Sequence, residues 1–317
     1  MLTTTLYETV TMQVGWAEIP IGILRVQGAD AQKWLHKIVT ADVEHLETRQ
    51  GAYSALLDAK GHFVAAFPLL RDDEIFGAFV DLSAREILFN TFRRYILREK
   101  VTLTDVTDGW TRFVLLGEQA AMKIQQLLEM RAPEKLYDWA WGHLGEIAAR
   151  VFRSAHARVP SFDVMIPNAG ADGLRAKLQN IPVIPNELLE TLRIEAGLPR
   201  WGVDFDATTL ALEIPDVMQI RVDQGCYVGQ EVVARIVHRG HVNRNLRGLR
   251  IENDFLPERG ETIQFQDADV GNITSAAHSP MLGNIALGYV RREVEIGAQV
   301  KIGSHNARVV ELPFSLT

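Results

Sequence analysis

The sequence predicts an α+β protein: two lobes, each an antiparallel-rich sheet with helices on one face, followed by a small C-terminal β-barrel. Three observations lead there. A strand–helix–strand–strand–helix order occurs twice between residues 21 and 179. Helical periodicity stops near residue 245, where short alternating runs separated by turn signals take over. The length of 317 residues, with 47% hydrophobic and 23% charged residues, fits two or three domains with a true core. The division expected is an α+β region of two intertwined lobes over residues 1–244 and a barrel over 245–317.

Element by element, Ile21–Gln27 reads as a strand. Gly28-Ala29-Asp30 turns the chain, and Asp30 is placed to cap a helix whose apolar face is Ala31, Trp34, Leu35 and Ile38. Ala52–Leu57 and His62–Leu70 form a hairpin around Asp58-Ala59-Lys60-Gly61, with Pro68 marking an edge or a bulge. Ile75–Asp81 is a third strand. Ser83 and Glu86 read as a capping box for a helix through Leu88, Phe92 and Tyr95, and Val101–Val106 returns as a strand. The second unit runs strand Phe113–Leu116, helix Glu118–Met130, strands Ile147–Arg153 and Phe162–Ile166, and helix Ala171–Gln179. A further helix opens at Pro185-Asn186 and ends near Gly197. The barrel strands expected are Leu246–Glu252, Thr262–Gln266, Ile285–Val290 and Ala307–Leu312.

Composition excludes several classes. A formal charge of -7 argues against nucleic acid as the main partner. One cysteine closes no internal disulfide and supplies too few thiolates for an iron–sulfur cluster or structural zinc, so no resident metal is expected. Residues 1–20 lack a basic start and apolar run, and no apolar stretch approaches the ~20 residues of a membrane span. The chain is expected in the cytoplasm, away from membranes.

The chemistry-bearing signals are two. The lone cysteine, Cys226, lies between Gly225 and Tyr227-Val228-Gly229, and no carboxylate occurs from Val232 to Ile251, where Arg235, Arg239, Arg244, Arg247 and Arg250 gather. Nearby arginines would favour the thiolate; a buried small hydrophobe is the other reading of a free cysteine. Glu231 and Arg235 are spaced as a helical i, i+4 ion pair, whereas a strand would put Arg235 among valines, in need of an anion. The second signal is Arg193-Ile194-Glu195-Ala196-Gly197. Glu195 sits at a helix C-terminus, where the macrodipole disfavours a carboxylate. It reads either as a salt bridge to Arg193 or Arg200, or as an acceptor for paired N–H donors such as those of a pterin. Phosphate-binding glycine loops, zinc-type spacing and a nucleophile elbow are absent.

The stretch Gly225-Cys226-Tyr227-Val228-Gly229-Gln230-Glu231, with Ala234-Arg235 and His238-Arg239-Gly240, resembles the signature K-G-C-Y-x-G-Q-E-x-x-A-R of the YgfZ family. These folate-binding proteins assist iron–sulfur enzymes and are related to the aminomethyltransferase (T-protein) of glycine cleavage. Val39-Thr40-Ala41-Asp42-Val43 and Asp58-Ala59-Lys60-Gly61 match as well, and the resemblance runs from about residue 20 to the end. It implies a cloverleaf around a central hole that takes tetrahydrofolate or another reduced folate. By motif position Glu195 would hold the pterin and Cys226 would be the functional thiol. Arg235, Arg239 and Tyr227 fall in the same binding block, and iron–sulfur clients or assembly factors would be the partners. The alternative is a folate-dependent aminomethyltransferase. Two departures bear on this. Gln224 stands where the signature has lysine, and the Asp-Asp pair of aminomethyltransferases, aligned through Gly61, falls on Ala65-Ala66. The expectation that ties these together is a cavity shared by Cys226 and Glu195.

Overall fold

The computed structural model describes residues 4–215 and 227–315. Helix α1 (Thr4–Met12) and strand β1 (Gly15–Glu18) open the chain. The first lobe follows: β2 (Gly22–Gln27), α2 (Ala31–His36), β3 (Gly51–Leu57), β4 (Phe63–Asp72), β5 (Ile75–Val80), α3 (Arg85–Tyr95) and β6 (Thr102–Asp105). Its five strands are antiparallel in the order β3-β4-β5-β2-β6. The second lobe comprises β7 (Trp110–Leu116), α4 (Ala120–Leu128), β8 (Trp139–Leu144), β9 (Ile147–Ser154), β10 (Ser161–Pro167) and α5 (Asn168–Leu178). Strand β1 joins this sheet at its edge, giving β1-β7-β10-β9-β8. The N-terminal segment therefore belongs to the second lobe, which local sequence patterning cannot reveal.

Two-residue alternation builds the layers. In β5, Phe76, Ala78 and Val80 face α2 and α3, while Phe79 points the other way. In β10, Phe162, Val164 and Ile166 face α4 and α5, and Met165 points back. The two backward faces meet. Ile23, Leu70 and Phe79 of one sheet pack on Trp139, Phe152 and Met165 of the other, so helices cover the outsides and sheet meets sheet within.

Helix α6 (Asn186–Glu195) and helix α7 (Gln230–Arg239) lead to the barrel. Its strands are β11 (Arg244–Ile251), β12 (Thr262–Phe265), β13 (Ala268–Ser279), β14 (Gly283–Arg291), β15 (Gln299–Ile302) and β16 (His305–Val310), closed in the order β11-β14-β13-β12-β15-β16. Closure removes the edges that six short strands would otherwise expose.

Three local expectations change. Pro68 lies in β4, between β3 and β5, rather than on an edge; pairing with β5 begins only at Leu69, so its missing N–H falls where that ladder ends. Asp81, not Ser83, caps the turn before α3, accepting from the Ser83 N–H and hydroxyl. Asp30 makes no side-chain cap on α2 and instead accepts from Lys100 N at 2.7 Å.

The α7 segment is helical, and its start is set by packing. Gly229 holds φ +86°, and a Cβ there would stand 2.4 Å from Asp58 O in the hairpin tip. Only glycine allows that approach. Substituting Gly229→Ala is expected to destabilise the protein by roughly 1–3 kcal/mol, read as a lower urea midpoint with an unchanged slope; an unchanged midpoint would show that α7 does not depend on this contact.

Candidate functional site

Where the inner faces of the two sheets meet α6, they enclose a cavity of about 460 Å³. That lies within the size range of small-molecule sites. Helix α6 contributes Asn186, Leu189, Glu190 and Arg193, spaced i, i+3, i+4 and i+7, which is one helical stripe. The sheets contribute Tyr53, Ala66, Phe79, Arg112 and Asp163, with Tyr137, His156 and Trp201 from connecting segments. Tyr53 and Tyr137 lie 5.9 Å apart between ring centres. Tyr137 carries φ +65°, a left-handed backbone that is costly for an aromatic residue and is held here by surrounding packing.

Two ionic clusters line the wall. Glu190 pairs with Arg193 and, at 3.1 Å, with Arg200; its side chain keeps 26% exposure. Opposite in character, Asp163 is 2% exposed and receives Arg112 at 2.9 and 3.1 Å and His156 Nε2 at 2.8 Å. Burial alone would raise the Asp163 carboxyl, but the guanidinium and imidazole outweigh it and hold it below its ordinary 3.8. Three buried polar atoms on cavity-lining residues, Arg112 Nε, Arg193 Nε and Ser154 Oγ, have no hydrogen-bond partner among the described residues. Native interiors seldom leave such atoms unpaired.

The residues singled out from sequence are not gathered at this cavity. Glu195 does not line it. Its carboxylate is buried at the end of α6, accepting from Tyr7 Oη at 2.9 Å and Ser279 Oγ at 2.5 Å. These two hydroxyls, from α1 and β13, supply the compensation that its place near the helix C-terminus demands. The salt bridges expected for Glu195 belong to Glu190 instead. Tyr227 is 6% exposed and packs in the core between the first lobe and the barrel. Arg235 and Arg239 are exposed on α7 and do not line the cavity, because the helix turns only Val233 fully inward. Cys226, the other member of the cavity expected for it and Glu195, lies outside the described residues. Among the described residues no cluster of metal-ligating side chains occurs, and no helix is long and apolar enough to cross a membrane.

Residues 7–223 match the GCVT N-terminal domain, and residues 244–315 match the glycine cleavage T-protein C-terminal barrel domain. The chain belongs to the glycine cleavage T-protein family. The aminomethyltransferase of Rubrobacter xylanophilus is 29% identical over 97% of this chain and 85% of its own length. That of Thermosipho melanesiensis is 24% identical, covering 93% and 83%. The crystal structure of glycine cleavage system aminomethyltransferase T from Bartonella henselae has the same fold, with a TM-score of 0.87 at 19% identity over 98% of this chain and 89% of that one. Within this T-protein fold, Ala66 lines the cavity and Ala65 is packed against α2 and α3 on the opposite face of β4. Ala66 presents only a methyl group to this part of the wall.

Arg112, His156, Asp163 and Glu190 escaped the sequence reading. A signal existed for two of them. Asp163 is the one charged residue in the strand Phe162–Ile166, and Glu190 falls on the same helical stripe as Arg193.

Burial, more than the opposing hydrogen bonds from Ser279 and Tyr7 and the charge of Arg158, raises the Glu195 carboxyl above its ordinary 4.5. The folded state thus retains a proton that the unfolded chain releases. This contribution to stability is fully present below pH 4.5 and is lost as pH rises through the folded value. Urea melts of wild type and Glu195→Gln across pH 4–8 are expected to show wild type losing stability relative to the variant as pH rises; parallel profiles would refute the assignment.

Proposed function

We propose that the inter-lobe cavity binds tetrahydrofolate or another reduced folate, with Glu190 as the carboxylate that accepts the donor edge of the pterin. The observation that carries this reading is the position of Glu190. It is a cavity-lining carboxylate accessible from the cavity, held in orientation by Arg193 and Arg200. Each of its oxygens keeps a second acceptor site after these pairings. Asp163 is nearly inaccessible, and Asp81 is engaged in capping. Tyr53, Tyr137 and Trp201 supply flat apolar surface for a bicyclic ring, and the unpaired wall atoms fit a polar ligand. The folate, when bound, supplies a carrier for one-carbon groups; the protein binds, orients and excludes water.

Two uses of the bound folate remain distinct. The Gly225–Glu231 motif with Cys226 supports a protein that assists assembly or repair of iron–sulfur clusters on client enzymes, and the alanine at position 66 supports a role without methylene transfer. The names of the relatives weigh toward the second use, folate-dependent aminomethyl transfer.

Calorimetry with 5-formyltetrahydrofolate tests the shared step. Wild type is expected to bind, Glu190→Gln to bind ~10- to 100-fold more weakly, and Glu195→Gln to bind as wild type. Equal affinity for wild type and Glu190→Gln would remove the assignment. For the use, the two readings make opposite forecasts. Transfer from an aminomethyl donor to tetrahydrofolate by the purified protein establishes the enzyme. No transfer, together with failure of Cys226→Ser to restore iron–sulfur enzyme activities in a deletion strain, establishes the assembly role.

A further inference from the structure

The Arg112–Asp163–His156 cluster sits in the cavity wall. Two contacts meet at the Nε2 of its imidazole. Asp163 Oδ1 lies 2.8 Å from His156 Nε2. An ionised carboxylate only accepts, so Nε2 must carry a proton to make this contact. Arg112 Nη2 lies 3.0 Å from the same nitrogen but has its own acceptors, both oxygens of Asp163. Those contacts also tie the carboxylate to a guanidinium, which leaves the imidazole beside a charge-balanced pair rather than a free anion. No hydrogen bond to Nδ1 occurs among the described residues. The ring lines the cavity and its side chain is 22% exposed.

We infer that His156 presents Nδ1 to the cavity as a bare acceptor, and that it selects a reduced pterin by receiving a ring N–H. This inference rests on the folate reading. A tetrahydropterin carries N–H groups at ring positions that are bare lone-pair nitrogens in fully oxidised folic acid. An acceptor-only wall atom meets a donor in the first and a second lone pair in the second. Sites built to hydrogen-bond a substrate group discriminate strongly against analogues that lack it, because buried polar atoms are then left unpaired. Asp163 and Arg112 act behind His156 as positioning residues, since their polar atoms serve each other and the imidazole.

The test compares affinities for tetrahydrofolate, kept reduced under anaerobic conditions, and folic acid. Wild type is expected to prefer the reduced form. His156→Phe, which removes the acceptor and leaves the Arg112–Asp163 bridge, is expected to lower that preference at least ~10-fold, equivalent to about 1.4 kcal/mol. His156→Gln, with an amide oxygen as acceptor, is expected to retain part of it and guards against a folding defect in the first variant. Long-range ¹H–¹⁵N NMR of unliganded wild type is expected to find the imidazole proton on Nε2. An unchanged preference in His156→Phe, or a proton on Nδ1, overturns the inference while leaving folate binding intact. Failure of wild type to bind tetrahydrofolate overturns the folate reading and this inference with it.

Discussion

The guanidinium of Arg193 joins the cavity to the barrel, and the other interactions at this junction depend on it. On one side it pairs with Glu190 in the cavity wall. On the other it donates to Asp204 at 2.5 Å and to Leu198 O at 3.0 Å. Asp204 also accepts from Arg200 N, Thr274 Oγ1 and Ser275 Oγ, the last two from β13. A carboxylate with no side-chain exposure is tolerable only with such complete pairing, and losing one partner of a buried pair is costly because the other charge is left stranded. The same network sets where α6 lies, and so which of its faces reaches the cavity. Burial disfavours the charged guanidinium and by itself would lower its pKa, but pairing with Glu190 and Asp204 outweighs this and holds the pKa above the ordinary range. The Arg193 guanidinium is thereby kept charged.

The cavity itself follows from sheet alternation. Each strand that gives one face to helices must give the other to the opposite sheet, and along most of that contact the residues are large and apolar. Near α6 they become Tyr53, Ala66, Arg112 and Asp163, and the sheets part around them. Charges there are nearly balanced: Arg112, Arg193 and Arg200 against Asp81, Asp163 and Glu190. A ligand that enters meets fixed dipoles and oriented ion pairs with no strong net field, so recognition depends on donor and acceptor placement more than on total charge.

The start of α7 is anchored to the same framework. Gly229 closes on the Asp58 carbonyl, and the hairpin tip is in turn held by Thr209 O and the Ala211 N–H, which bond Phe63 N and Gly61 O. At the other end of α7, Arg244 grips Glu213 through two contacts of 3.1 Å and lies over the Tyr289 ring. The basic segment is thus divided by structure. Arg244 is a pairing residue of the barrel junction, while Arg235 and Arg239 remain on the surface of α7.

Sequence by itself determined the two α+β lobes, the barrel and most of the elements, because each rests on a local period of two or 3.6 and on turn chemistry that needs no distant partner. It also singled out the end of α6, where Glu195 lies in the same helix as the cavity-lining Glu190. What only the tertiary structure decided was which acid of α6 faces the cavity. Glu190 and Glu195 are five residues apart, about 140° around a helix, so they cannot face one direction. Tyr7 from α1 and Ser279 from β13 claim Glu195, and Arg193 and Arg200 fix Glu190 in the wall. Those partners stand up to 188 positions away along the chain. The meeting of Arg112, His156 and Asp163 has the same cause. No local pattern encodes it, because it exists only once two strands and a loop are brought together by packing.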